Sequence, residues 1–568
     1  MIKEWVGARK VSTDEAERLA AVISCPVIFA RMLLRRGIHA VDEARKFLQT
    51  STDDMHDPFL MKDMHTAVEI LFDTLESGEK ILVYGDYDVD GTSAVALVVS
   101  YLREIGATCD YYIPDRYKEG YGFSDAGVEF AVQNKISLII TLDCGIKDAI
   151  RIENAKRKGI KIIVCDHHTP GDELPNADAV LNPKRKDCSY PFKELCGCAV
   201  GFKLMSALNH RLKRNDLEMQ KYLDFVALAT GADIVEMKGE NRVLATLGLK
   251  VLNQRNRVGI NALLEQARFK SDWLDITNVV FIIAPRINAA GRIFSGKEAV
   301  NLMLETDAHR AMEIAISIEK FNKERKEFES AITAEAKAQY LENSHHFPNA
   351  IVVHGNNWHK GVVGIVASKM VESFGKPAIV LTQHNGELHG SGRSTSDMDL
   401  YAVLDKCRNH ILQFGGHKMA AGLSLHESNL SAFNIAFNEF VRHERGAEPP
   451  AVKVYFEEEL AADDITVELF KWISMLEPFG PGNDKPYFLM RNVRDSGDSR
   501  AVGADGSHLK VSIDGGTKKL GGIGFGMANQ LSLLQSLAGA DVIVALELNT
   551  WQNRSSVEVN LKEMRKSE

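Results

Sequence analysis

Short apolar runs alternate with helical segments from about residue 66 to residue 240 of the chain. The runs ILVYGD, CDYYIPD, SLIITLD, KIIVCD and AVLNP are short and rich in β-branched and aromatic side chains, as buried strands are. Helical segments separate each run from the next. This alternation predicts an α/β domain built on a parallel sheet.

The rest of the chain shows three other patterns. Residues 1–65 predict short helices, and residues 309–342 lack glycine and proline, which predicts one long helix. A second α/β pattern follows, and then short strand-like runs separated by turn residues predict a small β-barrel. The predicted parts are an N-terminal helical segment (1–65), a first α/β domain (66–305), a connecting helix (306–345), a second, smaller α/β domain (346–447) and a C-terminal barrel (448–568).

Composition is that of an ordinary globular protein. Of the 568 residues, 45% are hydrophobic and 26% charged, and no uncharged apolar run approaches the ~18 to 20 residues of a membrane span. The stretch MIKEWVGARK lacks the apolar core of a signal peptide, so we expect a cytoplasmic protein with no membrane partner. The eight cysteines indicate no disulfide framework, and Cys196-Gly197-Cys198 matches no zinc or redox spacing, so we expect buried thiols.

The formal charge of −9 gives no global sign of nucleic-acid binding. Any phosphate-binding surface must therefore be local, and clustered carboxylates must be neutralised by something else, most simply by bound cations. The clearest cluster consists of Asp86, Asp88 and Asp90, which alternate directly after the first strand-like run.

Two familiar motifs with a similar pattern are excluded. An EF-hand loop also begins D-x-D-x-D-G, but Leu97 stands where that loop needs a glutamate, and a strand-like run precedes it instead of a helix. A P-loop is excluded because no Gly-Lys-Ser/Thr follows. Two further runs end in the acids Asp143 and Asp166. Since ligands bind at the carboxyl ends of parallel strands, these acids are predicted to converge on one metal site.

Histidines and one more acid extend this predicted site. Asp166 is followed by His167 and His168, and Asp233 ends the helix-like run YLDFVALATGAD. Oxygen-rich ligation with one imidazole suits Mn²⁺ or Mg²⁺ better than structural zinc. Six candidate ligands suit two ions ~3.5 to 4 Å apart, and such a pair favours hydrolysis of a phosphate ester or anhydride.

Seven motifs together resemble the DHH phosphoesterases and their exonuclease branch, the RecJ family of bacterial single-strand-specific DNA exonucleases. Four resemble the motifs of the whole superfamily: YGDYDVDG, TLDCG, the DHH triplet at 166–168 and TGADIVEM. Three resemble the exonuclease branch: PRINAAGR (285–292), GSGRS (390–394) and GGHKMAAG (415–422). The stretch LEPFGPGNDKPYF (476–488) resembles the opening of that family's oligonucleotide-binding (OB-fold) barrel. The resemblance covers nearly the whole chain and implies a parallel-sheet DHH domain, a DHHA1-type domain and an OB-fold.

The resemblance implies a role for each residue of the metal site. Asp86, Asp88 and Asp90 would hold the metals, and Asp143 would bridge both ions. His167 would bind metal, and Asp233 would be the ligand of the fourth motif. His168 would face the scissile phosphate as an orienting or acid-type group.

Substrate contacts are expected mainly from the second α/β domain. Arg393, in a glycine-flanked turn with Ser391 nearby, can bind a phosphate with its planar fork. Gly415, Gly416 and His417 offer backbone N–H groups and an imidazole as an anion cradle. Arg286 and Arg292 would add positive charge, although an arginine after proline could equally be a structural ion-pair partner.

The resemblance implies a single-strand-specific 5′→3′ DNA exonuclease that uses two Mn²⁺ or Mg²⁺ ions in DNA repair and recombination. It also implies a monomer that works on single-stranded DNA with a helicase and a single-strand-binding protein. One alternative is a DHH-type phosphodiesterase of short RNA oligonucleotides or cyclic dinucleotides, against which the predicted barrel argues. Another is a non-catalytic strand-binding scaffold, which should have lost metal ligands, whereas none is missing.

Overall fold

The structure is a computed structural model that describes residues 3–384, 386–446, 452–514, 518–551 and 554–567. Its N-terminal segment forms the predicted short helices, preceded by one strand. Ser12 caps the first helix by accepting a hydrogen bond from the backbone N–H of Glu15. These elements are β1 (Lys3–Gly7), α1 (Thr13–Ile23), α2 (Val27–Arg35) and α3 (Val41–Leu48).

The first α/β part contains the predicted parallel sheet. Its five strands lie in the order β3-β2-β4-β5-β6, and all of them are parallel. The apolar side chains of the central strands are buried on both faces, which explains why these strands are continuous hydrophobic runs. The strands are β2 (Ile81–Gly85), β3 (Cys109–Tyr112), β4 (Leu138–Leu142), β5 (Lys161–Cys165) and β6 (Ala179–Leu181).

Helices cover both faces of this sheet, and the helices after β6 continue the domain as a helical region. The helix that follows β2 is almost entirely buried, in keeping with its apolar sequence AVALVVSYL. The helices are α4 (Met64–Glu76), α5 (Val89–Glu104), α6 (Asp125–Gln133), α7 (Ala149–Arg157), α8 (Gly197–Arg211), α9 (Leu223–Ala232), α10 (Gly239–Leu252), α11 (Val258–Gln266), α12 (Ile276–Asn278), a π-helical turn (Val279–Ile283), α13 (Ala284–Ile293) and α14 (Lys297–Leu304).

One long helix, α15 (Ala308–Asn343), joins the two α/β parts, as the absence of glycine and proline predicts. The side chain of Asp307 caps its N-terminus by accepting from the backbone N–H of Arg310. Along its length the helix packs on α11 and α13 of the first part and on α16 of the second.

The second α/β part has a mixed sheet of five strands in the order β10-β11-β9-β8-β7. Only β7 and β8 are parallel, and the other pairings are antiparallel. Its elements are β7 (Ile351–Asn356), α16 (Val363–Phe374), β8 (Ala378–His384), β9 (Glu387–Arg393), α17 (Leu400–Lys406), β10 (Gln413–His417), β11 (Ala420–His426) and α18 (Leu430–Arg445). The sequence GSGRS, predicted as a turn, therefore belongs largely to strand β9.

The C-terminal part is the predicted barrel. The sheet runs β13-β14-β18-β19-β17-β16-β15, and an additional pairing of β14 with β16 closes it. Its elements, with one preceding strand, are β12 (Val452–Phe456), β13 (Glu458–Glu459), α19 (Val467–Ser474), β14 (Phe488–Asp495), β15 (Arg500–Val502), β16 (His508–Asp514), β17 (Lys519–Gly524), α20 (Leu531–Leu534), β18 (Ala540–Trp551) and β19 (Arg554–Lys566).

The N-terminal helices share a hydrophobic core with this barrel. Phe29 and Leu33 of α2 belong to the same buried cluster as Leu476 and Phe488, and β1 pairs in parallel with β12. The C-terminal part therefore packs against the N-terminal segment, a contact that no local pattern predicts. The predicted boundary between the second α/β domain and the C-terminal barrel, at 447/448, lies outside the described residues. No helix among the described residues is long and apolar enough to cross a membrane.

Candidate metal centre and nucleic-acid cleft

Three neighbouring strands, β2, β4 and β5, each end directly before an acid. Asp86, Asp143 and Asp166 follow them and lie at one edge of the sheet, as the sequence predicts. Asp143 has a φ of 60°, in the left-handed region, so its backbone turns sharply at the end of β4. These acids form the floor of the candidate site.

The segment after β2 folds tightly over the start of α5. Asp88 is the N-cap residue of α5 and accepts from the backbone N–H of Gly91 at 3.1 Å. A Cβ at Gly91 would lie only 2.5 Å from the carbonyl oxygen of Asp86, so this position requires glycine. The close approach brings Asp86, Asp88 and Asp90 to the sheet edge together.

The N-terminus of α8 holds Asp90. The two carboxylate oxygens of Asp90 accept from the backbone N–H groups of Gly197 (2.6 Å) and Cys198 (2.7 Å). Cys196 and Cys198 are fully buried free thiols, as predicted. The Cys-Gly-Cys stretch thus acts through its backbone, a role for which its sequence carries no signal.

All six predicted metal ligands and His168 form one cluster. His167 Nε2 lies 3.1 Å from Asp143 Oδ1, 3.6 Å from Asp233 Oδ2 and 3.8 Å from Asp90 Oδ2. Potential ligand atoms lie within 4.8 Å of one another in three groups: Asp86, Asp88 and Asp143; Asp90, His167 and Asp233; and Asp143, His167 and His168.

Several of these atoms are buried without a hydrogen bond. Asp86 Oδ1, Asp143 Oδ1 and His167 Nε2 have no hydrogen-bond partner among the described residues. Buried polar atoms normally have partners, so orphaned acceptors that face one another fit a bound cation. Carboxylate oxygens with one imidazole match the donor set of Mn²⁺ or Mg²⁺.

The electrostatics of the cluster support this interpretation. Burial, with repulsion from the neighbouring acids, raises the pKa of Asp90 to about 7 and of Asp233 to about 9. The same causes raise the pKa of Asp86 and Asp143 well above the ordinary range. Burial lowers the pKa of His167 to about 3, which keeps the imidazole neutral, the form that binds metals.

Asp166 lies apart from the ligand groups and instead holds His168. Its Oδ1 accepts from His168 Nδ1 at 2.8 Å, and its Oδ2 accepts from the backbone N–H of Ile146 at 2.9 Å. Burial of Asp166 is outweighed by these bonds and by the charge on His168, so its pKa falls to about 2. The hydroxyl of Tyr121, in a glycine-flanked loop that the sequence analysis did not select, lies 3.2 Å from the His168 ring.

A cationic cleft of 280 Å³ lies between the two α/β parts, and Arg292, Ser391 and Arg393 are among the residues that line it. Arg393 Nη1 donates to Ser391 Oγ at 2.7 Å. Arg116, which the sequence analysis missed, also lines the cleft, and its guanidinium lies 4.7 Å from the ring centroid of Tyr87. Burial and the charge on Arg116 lower the pKa of Arg393, and that of Arg292 to about 10.

The other predicted substrate contacts are placed differently. Arg286 is buried, and its Nε lies 2.6 Å from Glu319 Oε2. This arginine therefore forms a structural ion pair, which was the alternative to substrate binding that the sequence allowed. Gly415, Gly416 and His417 form the exposed end of β10. Partial burial and the charges on Lys147 and His168 lower the pKa of His417.

Family models match three segments of the chain. The DHH family, N-terminal domain, matches residues 80–230, the DHHA1 domain matches residues 348–443, and the RecJ OB domain matches residues 456–563. These segments correspond to the first parallel sheet, the mixed sheet and the barrel.

Whole-chain relatives agree with these matches. The single-stranded-DNA-specific exonuclease RecJ of Bacillus subtilis is 36% identical over 98% of this chain and 70% of its own length. The Escherichia coli protein of the same name is 33% identical over 98% of this chain and 99% of its own length. The crystal structure of Thermus thermophilus RecJ with Mn²⁺ has a TM-score of 0.84 and 27% identity, covering 100% of this chain and 80% of that one; the corresponding Mg²⁺ complex has a TM-score of 0.79. The strand-end acids, the DHH triplet and the barrel therefore have one common explanation: this chain belongs to the RecJ family of the DHH superfamily.

Proposed function

We propose that this protein is a metal-dependent exonuclease that removes nucleotides from the 5′ end of single-stranded DNA. The observation that carries the proposal is the cluster of orphaned carboxylate and imidazole atoms beside a cleft lined by arginines. A cluster of this kind next to an anion-binding surface suits a phosphodiester substrate. Single-strand specificity is inferred from the single-stranded-DNA-specific exonucleases that this chain resembles, and the polarity is inferred from the family resemblance.

Asp86, Asp88, Asp90, Asp143, His167 and Asp233 would hold the ions. Asp143 and His167 each contribute to two of the three ligand groups, and of these two the carboxylate, with its two oxygens, is the better suited to bridge a pair of ions. When bound, a pair of Mn²⁺ or Mg²⁺ ions supplies an activated water and offsets charge on the attacking and leaving oxygens. Relatives solved with Mn²⁺ and with Mg²⁺ are consistent with either cation.

The chain's own side chains orient the substrate. Asp166 fixes the His168 ring at the rim of the cluster, where His168, with a side chain 33% exposed, can face a phosphate oxygen. Arg393, steadied by Ser391, would hold a neighbouring phosphate through its fork, and Arg116 and Arg292 add charge to the same cleft. His417 and the Gly415-Gly416 backbone would contact the strand near His168.

The barrel would bind the strand on the 3′ side of the site, by stacking unpaired bases and attracting the backbone. Phe525 is 62% exposed and packs edge-on against His508, which makes this pair a candidate stacking surface. Phe488, by contrast, is fully buried in the barrel core. A monomeric state, a cytoplasmic location, a helicase and a single-strand-binding protein as partners, and the domain boundaries remain predictions from sequence.

Digestion of a single-stranded DNA labelled at either terminus tests the proposal. With Mn²⁺ or Mg²⁺, we expect mononucleotides to be released first from the 5′ end, with no release in EDTA. Asp143→Ala should abolish release while DNA binding is kept, and Asp172→Ala, at an exposed acid, serves as its control. Cleavage of cyclic dinucleotides or short RNA in preference to the long strand would favour the other DHH activity. Strand binding without cleavage by the wild-type protein would indicate the scaffold.

A further inference from the structure

The loop that carries Asp233 makes a direct contact with the C-terminal part. Asp233 is the C-cap residue of α9, and residues 234–238 connect it to α10. The contact is made by a tight turn, residues 480–483, which lies between α19 and β14. We infer that this turn is a positioning element of the metal centre, because it holds the Asp233 loop in the conformation that aims Asp233 at His167.

The loop has a backbone conformation that it would not keep on its own. Ile234, the residue directly after Asp233, has a φ of 58°, in the left-handed region. A β-branched residue there is strained by about 1–3 kcal/mol and persists only where the surrounding structure enforces it. The Ile234 side chain is 64% exposed, so its own packing does not explain the conformation. The restraint must come from neighbouring residues.

Two contacts supply that restraint. The backbone N–H of Met237 donates to the carbonyl oxygen of Pro481 at 2.7 Å. The side chain of the buried Asn241 donates from Nδ2 to the carbonyl oxygens of Glu236 (3.0 Å) and Glu194 (2.5 Å). The bond to Pro481 joins the loop to the C-terminal part, whereas both bonds of Asn241 lie within the first α/β part.

The surfaces fit closely at the turn. A Cβ at Gly482 would lie 2.7 Å from Lys238 Cε, and one at Gly480 would lie 3.1 Å from Met237 Cβ. Glycine at both positions therefore lets the turn approach the loop closely enough for Pro481 to accept the hydrogen bond.

The turn is itself held rigidly. Gly480 and Asn483 exchange backbone hydrogen bonds of 3.0 and 2.9 Å. Asn483 is buried, its Nδ2 donates to the carbonyl oxygens of Leu476 and Pro478, and its Oδ1 accepts from Arg36 Nε. An asparagine with three such bonds shapes the turn in a way that alanine cannot.

Arg242 fastens the turn's approach segment to α10. Its Nη2 donates to the carbonyl oxygens of Met475 (3.2 Å) and Glu477 (2.9 Å), and its Nη1 donates to Phe47 O and Thr50 Oγ1. Arg242 thus joins the helix that follows the Asp233 loop to the segment that precedes the turn. The C-terminal part therefore supports the metal centre as well as providing a strand-binding surface.

Three variants and Mn²⁺ binding test this inference. Asn483→Ala removes the bonds that shape the turn, and Arg242→Met removes those that attach its approach segment. Arg35→Met is the matched control, because Arg35 fastens the N-terminal helices to the C-terminal part through Glu457 and Glu458 and not to the Asp233 loop. Mn²⁺ affinity is measured by titration calorimetry, and amide exchange of residues 233–238 by mass spectrometry.

We expect Mn²⁺ binding to weaken about tenfold in Asn483→Ala and Arg242→Met, since groups that orient a metal ligand typically have effects of this size. Binding should stay within about twofold of wild type in Arg35→Met. Exchange at 233–238 should accelerate only in the first two variants. In steady-state digestion of single-stranded DNA, kcat should fall while KM is kept.

Wild-type Mn²⁺ affinity and wild-type exchange in both Asn483→Ala and Arg242→Met would overturn the inference. So would a defect confined to the KM for long strands, because the turn would then act only in strand binding. If Asn483→Ala does not fold, Arg242→Met decides, with Arg242→Lys expected to restore part of the affinity. The inference rests on the proposed metal centre; failure of the wild-type protein to bind Mn²⁺ would refute that centre itself.

Discussion

Asp166 accepts a hydrogen bond from His168 Nδ1 at 2.8 Å and takes no part in the groups of potential metal ligands. Both residues belong to the DHH triplet, yet they do different things. Asp166 also accepts from the backbone N–H of His167 and of Ile146, so it fixes both the loop and the ring. The first residue of the triplet is a support for the other two.

Asp166→Asn should therefore reduce hydrolysis without removing a metal ligand. An amide nitrogen would replace one acceptor in a site surrounded by donors, and His168 would lose its fixed orientation. We expect kcat to fall about 10- to 100-fold, as for other groups that orient site residues. Asp178→Asn is the control, because Asp178 also accepts from a backbone N–H, that of Ile162, in the same sheet. Equal losses in both variants would contradict the orienting role.

Arg393→Lys should weaken substrate binding more than catalysis. Lysine keeps the charge but loses the planar fork and its bond to Ser391. We expect KM for single-stranded DNA to rise about tenfold while kcat changes less, measured under steady-state conditions. Arg408→Lys, at an exposed arginine paired with Asp405 in the same α/β part, should leave both constants unchanged. An unchanged KM in Arg393→Lys would remove Arg393 from the substrate site.

Ile234→Gly should raise the free energy of unfolding by about 1 kcal/mol. Glycine adopts a φ of 58° without strain, and the exposed isoleucine side chain contributes little burial. Ile316→Gly is the matched control, because Ile316 is 52% exposed within helix α15, where glycine should instead cost about 1 kcal/mol. Urea unfolding of the three proteins measures the difference. Destabilisation by both variants would show that Ile234 is not strained.

Glu477→Gln should stabilise the protein at pH 8 but not at pH 5. Burial, together with repulsion from Asp275, raises the pKa of Glu477 from its ordinary value to about 7. The folded state then binds more protons than the unfolded state between these values, so stability falls as pH rises through that window. Glutamine should remove this fall, so the free energy of unfolding at pH 8 should rise by about 1 kcal/mol after allowance for the partial exposure of the side chain. Urea unfolding at both pH values measures this change, and Glu468→Gln, at an exposed glutamate, is the control. An equal gain in stability at pH 5 would contradict the raised pKa of Glu477.

Local pattern was enough for the strands and for the position of the acids that follow them. The ligand roles of His167 and Asp233 came from their neighbours in the predicted site and from the family resemblance, and they stay predictions. Each acid at the end of a strand-like run lies where the rule for parallel sheets places it, and all six predicted ligands meet in one cluster. The long helix and the closed barrel are also confirmed. These features depend on residue type and on short periodic spacing, which the sequence displays directly.

Other site residues depend on contacts between distant segments. Arg116 reaches the arginine cleft from the loop after β3, and Tyr121 reaches His168 from the same loop, although neither stands in a selected motif. Arg286 follows a proline in a selected motif, yet its guanidinium is engaged by Glu319. Motif membership alone does not show whether a residue belongs to the site, because that depends on which side chains from distant segments lie next to it.

The sequence by itself determined the order of strands and helices and the family to which the chain belongs, and it predicted the acids and imidazoles that meet in the candidate metal centre. Only the tertiary structure decided that the N-terminal helices pack on the barrel, that Asp90 is held by the amides of α8, and that the Asp233 loop is bonded to Pro481. The physical reason is range: propensity and periodicity act over a few neighbouring residues, whereas these contacts join segments far apart in the chain. The last two are also made by backbone groups, whose chemistry is the same for nearly every residue.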